Sequence, residues 1–197
     1  MKTRGKKLLA LLLTLAMCLS LLPMGAMAAD DVAWTKVALA DISVTDTIAI
    51  TMTTSTGETF ALSSEKGATA TPPAVAVSVN DNSFTTAGSN NLGWNISKNG
   101  DDLTIYPAGR TDVWLSNINK NNGVRVNDTA KVWTISSSYG YLYDAANNRN
   151  MGVYDKTEWR TYAPMHENIA NQTLAFYKLG GGEPPATDKV LLIYYFE

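Results

Sequence analysis

Cysteine is almost missing from this chain. The only one, Cys18, lies in an N-terminal segment that reads as cleaved, so the mature protein is expected to have no disulfide and no thiol chemistry. Histidine is as scarce: His166, in Ala163-Pro164-Met165-His166-Glu167-Asn168, stands alone. One histidine cannot supply the ligand spacing that zinc prefers, and no Gly-x-Ser-x-Gly turn offers it a nucleophile. It reads as a loop residue. Positive charge is thin too. Four of the 16 Lys and Arg residues fall in the N-terminal segment, leaving 12 against 18 Asp and Glu, net −6. Phosphate backbones need clustered cations; without a cluster, nucleic acid is excluded as a partner. No Gly-rich phosphate loop opens a helix. Beyond residue 28 no stretch carries an apolar stripe of helical period and length.

Catalytic acids are also hard to find. A glycosidase needs two converging carboxylates. Asp101 and Asp102 are adjacent, so they diverge, and Glu58, Glu65, Glu158 and Glu167 all sit in polar contexts. The chain therefore reads as a non-enzyme with no cofactor and no metal. Asn80-Asp81-Asn82 and Asn127-Asp128 offer oxygen ligands for calcium, but no full calcium loop surrounds them; both read as turns.

What is present begins with a targeting segment. Lys2, Arg4, Lys6 and Lys7 form a basic start, Leu8 to Leu22 an apolar run, and Ala26-Met27-Ala28 a small-x-small cleavage site. Residues 1–28 are thus expected to be a signal peptide cut before Ala29. The apolar run is shorter than the roughly 20 residues that span a bilayer, so no membrane attachment is expected after cleavage. Leu15-Ala16-Met17-Cys18 departs from a lipidation site at Met17. The expected location is extracellular, free or at the cell surface.

Residues 29–45 read as a lead-in strand, 46–179 as the main domain, and 180–186 as a Gly/Pro linker. Residues 187–197 read as an apolar strand that either opens a further module or docks back. The main domain alternates with period 2 in Ile48-Ile50-Met52, Phe60-Leu62, Val75-Val77-Val79, Leu92-Trp94-Ile96, Leu103-Ile105, Val113-Leu115, Val124-Val126, Trp133-Ile135 and Leu174-Phe176. Asn- and Gly-rich turns separate these runs. The fold class is all-β.

The strands repeat. Trp94-Asn95-Ile96-Ser97 returns as Trp133-Thr134-Ile135-Ser136, 39 residues later, and a leucine follows each Trp by nine residues, Leu103 and Leu142. Leu174-Ala175-Phe176-Tyr177 closes the domain. A period near 40 with about four strands per unit points to a β-trefoil-like barrel of three units, 46–98, 99–137 and 138–179. A β-sandwich is the alternative.

Four stretches carry a family likeness: Asp46-Thr47-Ile48-Ala49-Ile50; Asn122-Gly123-Val124-Arg125-Val126; Gly152-Val153-Tyr154 with Trp159-Arg160; and Gln172-Thr173-Leu174-Ala175-Phe176-Tyr177-Lys178-Leu179. With them the chain resembles small β-rich accessory modules of secreted and cell-surface proteins in gut Firmicutes and Bacteroidetes. That resemblance implies a place beside nuclease, glycosidase or Ig-like domains and no settled activity. The Gln-x-Trp signature of ricin-type lectins is absent, so no sugar site is carried over.

Sugars present apolar C–H faces rimmed by hydroxyls, so a site wants an outward ring beside Asn, Asp or Arg. Two stretches have that makeup: Trp114 with Asn121, Asn122 and Arg125, and Tyr154 with Trp159 and Arg160. Alternation against Val113 and Leu115 points Trp114 outward, and Trp159 is expected outward as well. Trp94 and Trp133, at equivalent repeat positions, are expected in the core. The expected function is a binding module for extracellular polysaccharide; the alternative is a structural or protein-interaction domain whose partner is a surface protein.

Overall fold

The computed structural model describes residues 31–65, 67–88, 90–118 and 123–180. The expected signal peptide, the linker at 180–186 beyond Gly180 and the apolar strand at 187–197 lie outside them. The strands are β1 (Asp31–Val37), β2 (Ile48–Thr53), β3 (Thr59–Leu62), β4 (Ala74–Val77), β5 (Ser83–Ala87), β6 (Trp94–Asn99) and β7 (Asp102–Pro107). They continue as β8 (Trp114–Asn117), β9 (Val124–Asn127), β10 (Val132–Ile135), β11 (Leu142–Asp144), β12 (Arg149–Tyr154), β13 (Glu158–Tyr162) and β14 (Thr173–Leu179). Helical structure among the described residues amounts to three-residue 3-10 turns, and no helix is long and apolar enough to cross a membrane. The expectation of an all-β chain holds.

Every ladder given by a residue register is antiparallel. One path runs β13-β12-β11-β10-β7-β6-β2-β14-β1-β5, with β3 bonded to β2 and β4 to β3; β8 and β9 form a separate ribbon. These ladders do not close into a barrel.

Two apolar clusters flank the central strands. Ile48, Ile50, Met52 and Phe176 point to the larger one, which also holds Trp94, Trp133 and Trp159. Ala49, Ala61 and Ala175 point the other way, where Trp34, Phe84 and Tyr177 lie over them. Period-2 alternation sends neighbours to opposite faces, and small residues on the second face leave room for large rings. Trp34 and Phe84 stack with centroids 5.9 Å apart, and Phe84 meets Tyr177 edge-on at 5.0 Å. A sandwich-like layering fits this arrangement.

Buried indoles need a partner for their N–H. Trp94 Nε1 donates to the Leu62 carbonyl and Trp133 Nε1 to the Leu115 carbonyl, each over 2.9 Å. Asp144 is fully buried, accepts from Asn117 Nδ2 and Asn147 Nδ2, and pairs with Lys131 Nζ at 3.0 Å. Thr161 Oγ1 donates to Asn117 Oδ1, which extends that polar network to β13.

Candidate functional site

The structure sorts the sequence-predicted binding residues into two pairs and removes one. Trp159 is fully buried, and its indole faces the Ala61 carbonyl at 3.4 Å. The expectation of an outward Trp159 is therefore corrected. Trp159 pairs with Val153 across the β12–β13 hairpin, and paired side chains share a face; Val153 is core, so Trp159 is too.

Tyr154 and Arg160, one residue to either side, take the outer face. The Arg160 guanidinium lies 4.0 Å from the Tyr154 ring centroid, and its Nε donates to Glu158 Oε1 at 2.7 Å. Glu158 also accepts from the Thr71 hydroxyl. This cluster already satisfies itself. Next to it His166 is exposed, stacks on Tyr162 at 4.9 Å, and accepts from the Asn168 N–H through Nδ1.

Trp114 is half-buried on β8. Its partner across the ribbon is Asn127, and Ser116 lies opposite Arg125, so Trp114 and Arg125 share the face opposite to core residues Leu115 and Val126. Arg125 turns its Nη1 back to the Val124 carbonyl at 2.7 Å. Asn121 and Asn122 lie outside the described residues. Among the described residues no three His, Cys, Asp or Glu side chains gather as metal ligands would.

The most suitable surface is one that sequence reasoning missed. Two hollows adjoin where β10 ends, sharing Thr134 and Ile135. The larger, about 670 Å³, opens at the end of the main core between Leu39, Leu103 and Ile135, with Lys98 and Asp101 at its side. Lys98 Nζ donates to the Leu39 and Ala40 carbonyls at 3.1 and 2.9 Å, and this holds the Leu39–Asp41 turn against β6. The smaller, about 350 Å³, is lined by the hydroxyls of Thr134, Ser136 to Ser138, Tyr139 and Tyr143 and by the amides of Asn148 and Asn150.

Strand register builds the smaller hollow. Thr134 lies opposite Tyr143, and Tyr143 opposite Asn150, so one face of β10-β11-β12 carries a polar row. The β10–β11 turn closes with Ser136 N–H donating to Tyr141 O at 2.9 Å, and Gly140 takes φ +73, a conformation glycine adopts freely. Tyr139 is left 54% exposed at the rim. Tyr143 OH donates to Asn148 Oδ1 at 3.0 Å. Asn150 is buried, and its Oδ1 has no hydrogen-bond partner among the described groups. An orphaned amide oxygen costs about 1–3 kcal/mol, and this one is closed off from solvent beneath the row.

This arrangement can bind through donors, acceptors and one exposed ring. No histidine is among the described residues that line it. In the sequence the signal was Ser136-Ser137-Ser138-Tyr139-Gly140-Tyr141, an aromatic beside polar groups like the two stretches chosen on that criterion. No protein-family model matches the chain, and no curated protein matches it.

Proposed function

We propose that this chain is a secreted, non-catalytic module that binds an extracellular glycan in the cleft beside β10. The observation that carries this reading is the makeup of the smaller hollow: six hydroxyl residues, one of them the exposed Tyr139, and two amides, with no acid or base among the described residues that line it. Polyhydroxylated, uncharged ligands are matched by such groups. Shallow sites of this kind bind weakly one at a time and suit a tethered or multivalent protein. Export rests on the basic start, apolar run and Ala26-Met27-Ala28 site; N-terminal sequencing of the secreted protein should begin at Ala29.

The fold behind the site is proposed to be trefoil-like, three units about a shared core. Several facts support this. The second unit holds β7 to β10 and the third β11 to β14, four strands each, while the first holds β2 to β6. Trp94 and Trp133 make matching bonds to Leu62 and Leu115. β11 and β14 share no ladder, but the Tyr141 hydroxyl just before β11 reaches the segment leading into β14, donating to the Ile169 carbonyl at 2.9 Å and accepting from Gln172 N–H at 2.7 Å.

The test is binding of neutral oligosaccharides by calorimetry and by ¹⁵N-resolved NMR. Tyr139→Ala should weaken binding at least tenfold, with shifts centred on residues 134–150. Loss on Trp114→Ala instead would move the site to the β8–β9 ribbon. Absence of any glycan response, with capture of a surface protein, would replace this reading by the protein-interaction one.

A further inference from the structure

We infer that the cleft selects uncharged, N-acetylated sugar units over plain hexoses and uronic acids, seating the acetamido group in its larger hollow. This rests on the glycan reading above and deepens it. The two hollows differ in chemistry although they adjoin. The smaller offers hydroxyls and amides; the larger has a floor of aliphatic side chains, Leu39, Leu103 and Ile135, at the mouth of the main core.

A hexose hydroxyl lowered onto that floor loses water and finds no partner there, which is unfavourable. An acetamido group divides as the hollow divides. Its methyl suits the aliphatic floor. Its carbonyl suits Lys98, whose ammonium has three N–H groups and gives two of them to the Leu39 and Ala40 carbonyls. Its N–H suits the exposed carboxylate of Asp101.

Charge points the same way. Among the described residues Lys98 and Asp101 are the only ionic side chains lining either hollow, and they are of opposite sign. The cleft therefore presents no net positive charge to draw a uronate, and Asp101 repels one. A single methyl-sized group in an apolar site discriminates by about tenfold or more, which sets the expected preference.

The experiment titrates the mature protein with three trimers: N-acetylglucosamine, glucose and galacturonic acid. The N-acetylated trimer should bind about tenfold tighter than the glucose trimer, and the uronate trimer weakest. Leu39→Asn should bring the first two affinities to a ratio near one. Should that variant fail to fold, Ala40→Asp, at an exposed position of the same hollow, should lower the N-acetylated affinity at least tenfold. Equal affinities for the first two trimers in the native protein, or tightest binding of the uronate, would overturn this inference and leave the glycan reading in place. If no trimer binds and no larger neutral glycan does either, the glycan reading falls with it.

Discussion

The carboxamide of Gln172 holds both backbone groups of Val153. The Val153 N–H donates to Oε1 at 2.9 Å, and Nε2 donates to the Val153 carbonyl at 2.7 Å. β11 pairs with β12 only at Arg149 and Asn150, so the remainder of that β12 edge has no strand beside it. A side-chain amide, with one donor and one acceptor, stands in for a residue of the missing strand. The approach is close. A Cβ placed at Gly152 would sit 2.8 Å from Ile169 Cβ and 2.9 Å from Gln172 Oε1, so this position needs glycine for space.

Removing that amide should be costly. Gln172→Ala leaves a buried N–H and a buried carbonyl unpaired, for a loss of about 2–6 kcal/mol in urea unfolding, at about 1–3 for each orphaned group. Gln172→Glu tests the donor alone. As a carboxylate it repels the Val153 carbonyl; protonated, its O–H donates to it. The folded-state pKa of this glutamate is thereby raised, so its bond is present below about pH 4 and lost as pH rises. The deficit against wild type should widen from pH 4 to pH 7.

Trp94→Phe and Trp133→Phe should cost about the same. Each removes an indole N–H from a leucine carbonyl at 2.9 Å and opens space in the same fully buried setting. About 2–4 kcal/mol is expected for each, from the orphaned carbonyl and the lost packing together. Chemical denaturation of the two variants checks this. A difference well above 1 kcal/mol would count against equivalent positions in a repeat.

Four of the five tryptophans are fully buried, Trp34, Trp94, Trp133 and Trp159, and Trp114 is half-buried. Iodide should quench only a minor part of the fluorescence, and Trp114→Phe should abolish that part. Trp159→Ala should act on stability, by about 3–5 kcal/mol as for other buried aromatics. With refolded protein, it should leave no binding defect separable from unfolding.

Asp144 should contribute to the acid limb of stability. Burial pushes its carboxyl up, but hydrogen bonds from Asn147, Asn117 and Lys131 outweigh burial and hold it below the ordinary value. A lowered folded-state pKa stabilises above the unfolded value, about 3.9, and that stabilisation fades as pH falls through the lower folded value. The urea midpoint of wild type should therefore drop below pH 4 more steeply than that of Asp144→Asn. At pH 7 Lys131, 19% exposed, loses its partner in Asp144→Ala, and about 3–5 kcal/mol should follow.

Much of the strand plan was legible. Leu103-Ile105 alternates cleanly because one face of its strand meets the core, and Ile48-Ile50-Met52 because large side chains face the main cluster while Ala49 and Thr51 lie buried on the other face. β5 and β13 were not legible. β5 carries Ser83-Phe84-Thr85-Thr86-Ala87, with one large apolar residue to set its phase. In β13, Trp159 and Thr161 share one buried face, while on the other Arg160 is half-buried and Tyr162 is buried as well. Local polarity gives the opposite hint for Thr161, because its buried hydroxyl is satisfied by Asn117, 44 residues away.

By itself the sequence determined an all-β chain, a 39-residue echo between two buried tryptophans, and the want of cysteine, histidine and clustered positive charge. These are properties of neighbours along the chain, and alternation and turn chemistry act at that range. Only the tertiary structure decided which aromatics face out and where a ligand can lodge. The cleft draws on residues 39–40, 98–103 and 134–150, and their meeting depends on strand register and on Lys98 holding a distant turn. Those are long-range pairings, and no local pattern encodes them.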